Sequence, residues 1–351
     1  MTELIQSITP PKTALPIVIF GAGSIVSDAH LPAYAKAGFT VAGICDPDMD
    51  KARAILPPGA VAYGSLAEAT AAGTGAVYDL AVPPAAIPAV LNALPEGAVA
   101  LIQKPMGSDL AAADEIIRIL RARKIRAAVN FQLRFAPMSL ALKDAIAKGL
   151  LGEVVDFDAW LALDTPWHLW AFLKDLPRVE ILLHSIHYLD FVRDILGNPD
   201  GVHAKTMGHP TSSVSNTRSS MILDYGQRAR ASLSINHNHA FGRQFQACEF
   251  RICGTKGAAY LKLGVNLDYP KGEPDEFWLN TDGEWRQIPL TGNWFIEAFI
   301  GRITQVMRFA TGEDAELQGS AEDAWHTMAL VEAAYQSSAL PAHPIRTSPD
   351  A

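Results

Sequence analysis

Apolar residues fall in short continuous runs through the first third of the chain and in alternating patterns after it. Residues 16–20 (PIVIF), 40–45 (TVAGIC), 76–82 (AVYDLAV), 98–103 (AVALIQ) and 126–131 read as buried strands. Between them, residues 26–36, 66–72 and 86–93 read as helices. Strands alternating with helices predict βαβ units and a parallel sheet covered on both faces. From Gly152 the period changes. Val155, Phe157, Ala159 and Leu161 share one face of a strand over 153–163, with Asp156 and Asp158 on the other. Further strands are predicted at 218–225, 229–235, 245–253, 257–263, 276–279 and 285–288, with turns at Gly226-Gln227 and Asp282-Gly283. Helices are predicted at 180–196, 294–311 and 320–338. The expected organisation is an N-terminal doubly wound domain over 1–131 and an α/β domain over 132–351.

Composition narrows the class. The chain has 351 residues, 49% hydrophobic and 19% charged, which suits two globular domains. A net charge of −8 argues against a nucleic-acid surface, which needs a basic stripe. Three cysteines, Cys45, Cys248 and Cys253, form no disulfide framework and fit a reducing cytoplasm. No apolar run is long enough to span a bilayer, so no membrane partner is expected.

The first chemical signal is the turn Gly21-Ala22-Gly23-Ser24-Ile25-Val26, directly after a strand. Gly21 permits the tight turn, and Gly23 lets backbone N–H groups approach a pyrophosphate at a helix N-terminus. Val26 replaces the third glycine of the dinucleotide fingerprint, a position that serves packing more than phosphate contact. Asp46 ends the next strand, about 20 residues after Val26. Its carboxylate would accept hydrogen bonds from the adenosine ribose and repel a 2′-phosphate. NAD is therefore the expected cofactor.

The order of Gly21 to Val26, His30-Leu31-Pro32, Asp46-Pro47, Ala81-Val82-Pro83-Pro84, Gln103-Lys104-Pro105, the 132–135 segment and the 149–154 segment resembles the glucose–fructose oxidoreductase, inositol dehydrogenase and rhizopine-catabolism (Gfo/Idh/MocA) family. The resemblance covers roughly residues 16–347. It implies a Rossmann domain followed by an α/β domain with a large, mostly antiparallel sheet. It also implies an NAD-dependent oxidoreductase of sugars or polyols, metal-free, whose open sheet face is buried in a homodimer or homotetramer. Two departures stand out. Gln103 replaces the usual Glu before Lys104-Pro105, and Leu183 replaces the acid that normally assists His187.

On that resemblance, Lys104 and His187 are the catalytic pair. Lys104 would hold the reacting hydroxyl and stabilise alkoxide charge. His187, as an imidazole near its ordinary pKa, would take the proton. The expected cofactor contacts are Gly21, Gly23, Ser24, Ile25, Asp46, Val82, Pro83, Gln103, Lys104, Gln132 and Trp167. The expected substrate contacts are Lys104, Arg134, Arg178, His184, His187 and His239, the last within the run Asn236-His237-Asn238-His239. His184, His187 and Asp190 are spaced by three and are expected near one helix face. The 180–187 segment resembles a branch that includes pentose dehydrogenases, one of them acting on apiose. Oxidation of an aldose at C1 to a lactone is thus favoured. Oxidation of a secondary hydroxyl of an inositol or sugar acid, and NAD(H) sensing without turnover, stay open as alternatives.

Overall fold

A computed structural model describes residues 3–267 and 271–346. The outer ends of the two expected domains, residues 1, 2 and 347–351, lie outside the described residues. Strands β1 (Ile17–Phe20), β2 (Val41–Cys45), β3 (Val61–Tyr63), β4 (Val77–Leu80), β5 (Val99–Ile102) and β6 (Arg126–Val129) form one parallel sheet. Its order is β3-β2-β1-β4-β5-β6, so the chain reverses direction between β1 and β4. That switch point is where open α/β sheets bind ligands. Strand β3 is absent from the sequence reading because its three residues are exposed or half-buried and carry no apolar run.

The helices of this half are α1 (Leu31–Ala37), α2 (Met49–Ala54), α3 (Leu66–Ala72), α4 (Ile87–Ala93) and α5 (Leu110–Ala122). The chain enters α1 through a π-helical turn, Val26–His30, and leaves it at Gly38 in the left-handed conformation. Helix α6 (Pro137–Ala147) then leads to the second sheet. This sheet contains β7 (Val154–Ala162), β8 (Gly201–Met207), β9 (Arg218–Asp224), β10 (Arg230–Asn236), β11 (Ala247–Gly254), β12 (Ala258–Lys262), β13 (Glu276–Asn280) and β14 (Trp285–Gln287). Its order is β14-β13-β12-β11-β7-β10-β9-β8, antiparallel except where β10 meets β7. The hairpins expected at Gly226 and Gly283 are present, with φ of +60° and +92° at the glycines.

Helices α7 (Ile186–Leu196) and α9 (Ala321–Ala339) cover the inner face of the second sheet. Phe157, Phe191 and Phe250 meet there, with ring centroids 5.5–6.0 Å apart. Helix α8 (Ile296–Ala310) turns back onto the first sheet. It buries Phe299, Ile303, Val306 and Met307 with Ile17, Ile19, Val77 and Leu101. The last part of the chain thus supplies one cover of the N-terminal sheet. A cut at 131/132 separates the sheets but not their cores. Among the described residues, no helix is long and apolar enough to cross a membrane.

Candidate active site

The glycine turn after β1 is built as the sequence requires. Gly21 has φ of +102°, and a Cβ there would lie 2.3 Å from the Ala81 carbonyl oxygen. Only glycine fits. A Cβ at Gly23 would meet nothing within 4 Å, so the backbone is open to an incoming phosphate. Val26 is fully buried in the core between α1 and the sheet, which is why this position needs no glycine. Ser24 is exposed and Ile25 half-buried at the start of the helix. Asp46 Oδ2 accepts the Ala22 N–H at 2.8 Å, and its Oδ1 accepts the Asp48 N–H at 2.8 Å. The acid therefore braces the turn.

Val82 and Pro83 follow β4, and Val82 Cγ1 borders the same turn. Gln103 leaves β5 with its backbone tied to Leu80 and its Oε1 accepting from Asn130 Nδ2 at 2.9 Å. Gln132 is buried, with its Oε1 lacking a hydrogen-bond partner among the described residues. An unspent buried acceptor of this kind suits a ligand contact.

Lys104 reaches from the end of β5 to a second π-helical turn, Glu180–Ser185, which runs directly into α7. Its Nζ donates to the Leu183 carbonyl oxygen at 2.9 Å. Leu183 lacks the carboxylate of the family pattern, yet its backbone oxygen receives the lysine. Burial pulls the Lys104 ammonium down to about 8. His187, one turn on, is 7% exposed, flanked by the edges of Phe131 and Trp294. Its Nδ1 has no hydrogen-bond partner among the described residues. Burial, with smaller contributions from Lys104 and His184, pushes its pKa well below the ordinary value. This corrects the expectation of an imidazole near its ordinary pKa: His187 is neutral in the free protein at neutral pH.

Several expected site residues are placed elsewhere. Arg134 forks onto Asp190 at 2.5 and 2.6 Å and also meets Asp194 and Asp323. Its donors are spent in a buried ion-pair cluster that joins α7 to α9. Asp190 is turned into that cluster, with Thr327 donating to it, so it does not share the surroundings of His184 and His187. Arg178 forms a bidentate pair with Glu332 and lies over the Tyr335 ring. His239 contacts Gln244 and Phe241 and stays outside the histidine cluster. Trp167 packs on His237, with centroids 4.9 Å apart, and its indole N–H has no partner among the described residues.

Glu180, outside every expected contact, and His237, expected only as part of the 236–239 run, are central. Glu180 is fully buried and faces His184 and His237. The His184 and His237 rings are edge-on, with centroids 4.2 Å apart. His237 continues the inward alternation of β10, after Ala231, Leu233 and Ile235. His239 shares that parity but lies three residues past the end of β10 and is only half-buried, so nearness to the strand end separates the two. Glu180 lies four residues before His184, a spacing that places both on one helical face.

Residues 15–131 match the oxidoreductase family with an NAD-binding Rossmann fold, and residues 139–260 match the GFO/IDH/MocA C-terminal domain. A D-apiose dehydrogenase from Rhizobium rhizogenes (strain K84) is 25% identical over 311 residues, covering 86% of this chain and 89% of that protein. A 1,5-anhydro-D-fructose reductase from Ensifer adhaerens is 27% identical over 203 residues, covering 57% of this chain. The chain spans only 59% of that reductase's length. Among solved structures, an oxidoreductase from Agrobacterium radiobacter, in complex with NAD+, L-tartaric acid and magnesium, superposes with a TM-score of 0.78. It is 23% identical and covers 93% of this chain and 97% of its own. A putative myo-inositol dehydrogenase from Sinorhizobium meliloti gives a TM-score of 0.73 at 21% identity, covering 93% of this chain and 97% of its own. The chain belongs to the Gfo/Idh/MocA family of oxidoreductases, and its first domain is an NAD-binding Rossmann domain.

Proposed function

We propose that the protein oxidises a sugar hydroxyl with NAD+, acting at C1 of an aldose, a pentose such as apiose, to give a lactone. The observation that carries this reading is the meeting of Lys104 with the turn that leads to His187, at the carboxyl end of the parallel sheet. The named activities of the apiose dehydrogenase and anhydrofructose reductase relatives support a sugar as substrate. Bound NAD+ supplies the hydride acceptor. Lys104 Nζ, released from the Leu183 carbonyl, holds the substrate hydroxyl and stabilises the oxygen as it becomes alkoxide-like. The imidazole of His187, already neutral, receives the hydroxyl proton as the C–H bond breaks. The buried Phe131 and Trp294 beside it keep water from that transfer. Asp46 favours NAD over NADP, since a 2′-phosphate would face its carboxylate.

Copies of the chain are proposed to associate through the outer face of the second sheet. Trp160, Ile222 and Trp285 are exposed there beside Trp278 and Tyr260, and exposed apolar side chains on one sheet face suit a partner. The activity is tested by following NADH absorbance with aldoses, inositols and sugar acids. Turnover with an aldose and recovery of a lactone support the reading. Turnover confined to inositols or sugar acids replaces the substrate class. Cofactor binding with no hydride transfer to any candidate favours a sensor.

A further inference from the structure

The cluster of Glu180, His184 and His237 takes no part in the proposed hydride chemistry. One ligand-type atom from each lies within 4.8 Å of the other two. Glu180 and His237 are fully buried, and among the described residues no lysine or arginine pairs with the carboxylate. Glu180 Oε1 accepts from the Ser185 hydroxyl. Glu180 Oε2, His184 Nδ1 and His237 Nε2 are all buried without a hydrogen-bond partner among the described residues. Glu180 Oε1 and His237 Nε2 are 3.6 Å apart, too far for a hydrogen bond. An acid and two imidazoles thus converge without satisfying one another. Buried orphan atoms of this kind need a partner that the chain itself does not supply.

We infer that Glu180, His184 and His237 form a binding site for a divalent transition-metal ion, with Zn2+ the best match. Two imidazoles and a carboxylate are a common three-ligand set for zinc, leaving at least one position for water or a substrate oxygen. Bonds of about 2.1 Å place tetrahedral ligand atoms about 3.4 Å apart, close to the 3.6 Å between Glu180 and His237. Imidazole ligands disfavour Mg2+ and Ca2+, which take oxygen. The outer contacts are also in place. His237 Nδ1 is 2.7 Å from Thr165 Oγ1, and a proton held there leaves Nε2 free to bind metal. Ser185 fixes the carboxylate in the same way. One positive ion also compensates the buried charge of Glu180, which burial otherwise makes costly. The site sets this chain apart from the metal-free expectation of its family resemblance.

The test needs neither NAD nor sugar, so it stands or falls apart from the dehydrogenase reading. Chelator-treated full-length protein is titrated with Co2+ while its visible d–d bands are followed, and zinc is counted by elemental analysis after equilibration and dialysis. The expected result is saturable binding of one ion per chain. Glu180→Gln and His237→Ala should abolish the bands at Co2+ concentrations that fill the unaltered protein, while His239→Ala leaves them unchanged. Circular dichroism checks that each variant is folded. X-ray absorption of the zinc-loaded unaltered protein needs no variant and should count two imidazoles. No saturable binding to the folded protein, undiminished binding in both ligand variants, or an absorption spectrum without two imidazoles would overturn the proposal.

Discussion

Two buried histidine–carboxylate groups stand out among the described residues, and each draws a histidine, His30 or His184, from a π-helical turn. In the first, His30 Nδ1 is 2.6 Å from Asp79 Oδ2, and Tyr34 donates its hydroxyl to the same oxygen at 2.6 Å. All three residues are fully buried, and Phe299 of α8 packs on the His30 ring. In the second, Glu180 stands between His184 and His237 with no hydrogen bond to His237. His30 Nε2 and Asp79 Oδ1 are also without partners among the described residues, so the contrast does not lie in a count of orphans. It lies in contact between acid and base. Asp79 spends one oxygen on two donors and ties β4 to α1 and the turn before it. Glu180 spends its contacts on serine hydroxyls, Ser185 first, and not on a histidine. A closed group holds elements together, whereas an open one is held by its surroundings and keeps capacity for a ligand.

The largest expected effect lies beside the open group. His187→Ala should lower kcat by roughly 10²–10⁴-fold, the usual contribution of a positioned proton acceptor. NAD affinity, read by fluorescence titration, should change little, because the glycine turn and Asp46 are untouched. Near-normal turnover on the true substrate would remove His187 from the mechanism. The closed group should answer in the opposite way. Asp79→Ala leaves His30 and Tyr34 without their shared acceptor and should cost about 3 kcal/mol of stability. A urea midpoint reads that loss, and the protein that stays folded should turn over normally. If Asp79→Ala lost activity without losing stability, the division into closed and open groups would fail.

A smaller effect, about a decade of rate per pH unit, separates the roles of Lys104 and His187. If Lys104 acts as a cation that stabilises alkoxide, kcat/KM falls as pH rises through about 8, where the ammonium loses its proton. The histidine limb lies well below 6.5, since burial depresses that pKa, and rate rises through it as the imidazole becomes neutral. Lys104→Ala should remove the alkaline limb. A rate that instead rises through about 8 would make neutral Lys104 the base.

The same contrast explains what the sequence made legible. Gly21, Gly23 and Asp46 could be assigned because backbone geometry forces glycine at a tight turn, and chain order alone places the acid after β2. The alternation in β7 and the two hairpin glycines were legible for the same local reason. Strand β8 was not, because its residues GVHAKTM are half-buried or exposed and give no apolar run. Arg134, Arg178 and His239 read as pocket residues because an isolated polar side chain near a strand or helix end looks available. The partners of the two arginines, Asp190 and Glu332, are 56 and 154 positions away, and only tertiary packing brings them in, whereas His239 is taken by the turn after it, at Gln244. The meeting of Glu180 with His237 stayed hidden for the converse reason. They belong to different segments, the π-helical turn before α7 and the position just past β10, and nothing local says that they meet. Asp190 fitted its family position, yet its partner is Arg134 and not the histidines.

The smallest effect is the sharpest test of the contrast. Glu180→Gln replaces an uncompensated buried carboxylate with a neutral amide of the same shape. Ser185 can still donate to Oε1. In metal-free protein the change should therefore move stability by less than about 1 kcal/mol, and toward greater stability, since no acid–base contact is broken. The equivalent Asp79→Asn change replaces an acceptor shared by two donors and should destabilise. Adding Zn2+ should then separate the two sites further. Ion at about 100 times its dissociation constant should stabilise the unaltered protein by about 2.7 kcal/mol, with the same gain in Asp79→Asn and none in Glu180→Gln. Thermal melts of the three proteins with and without the ion read both differences. A Glu180→Gln protein that is markedly weaker without metal would show that Glu180, like Asp79, holds the fold.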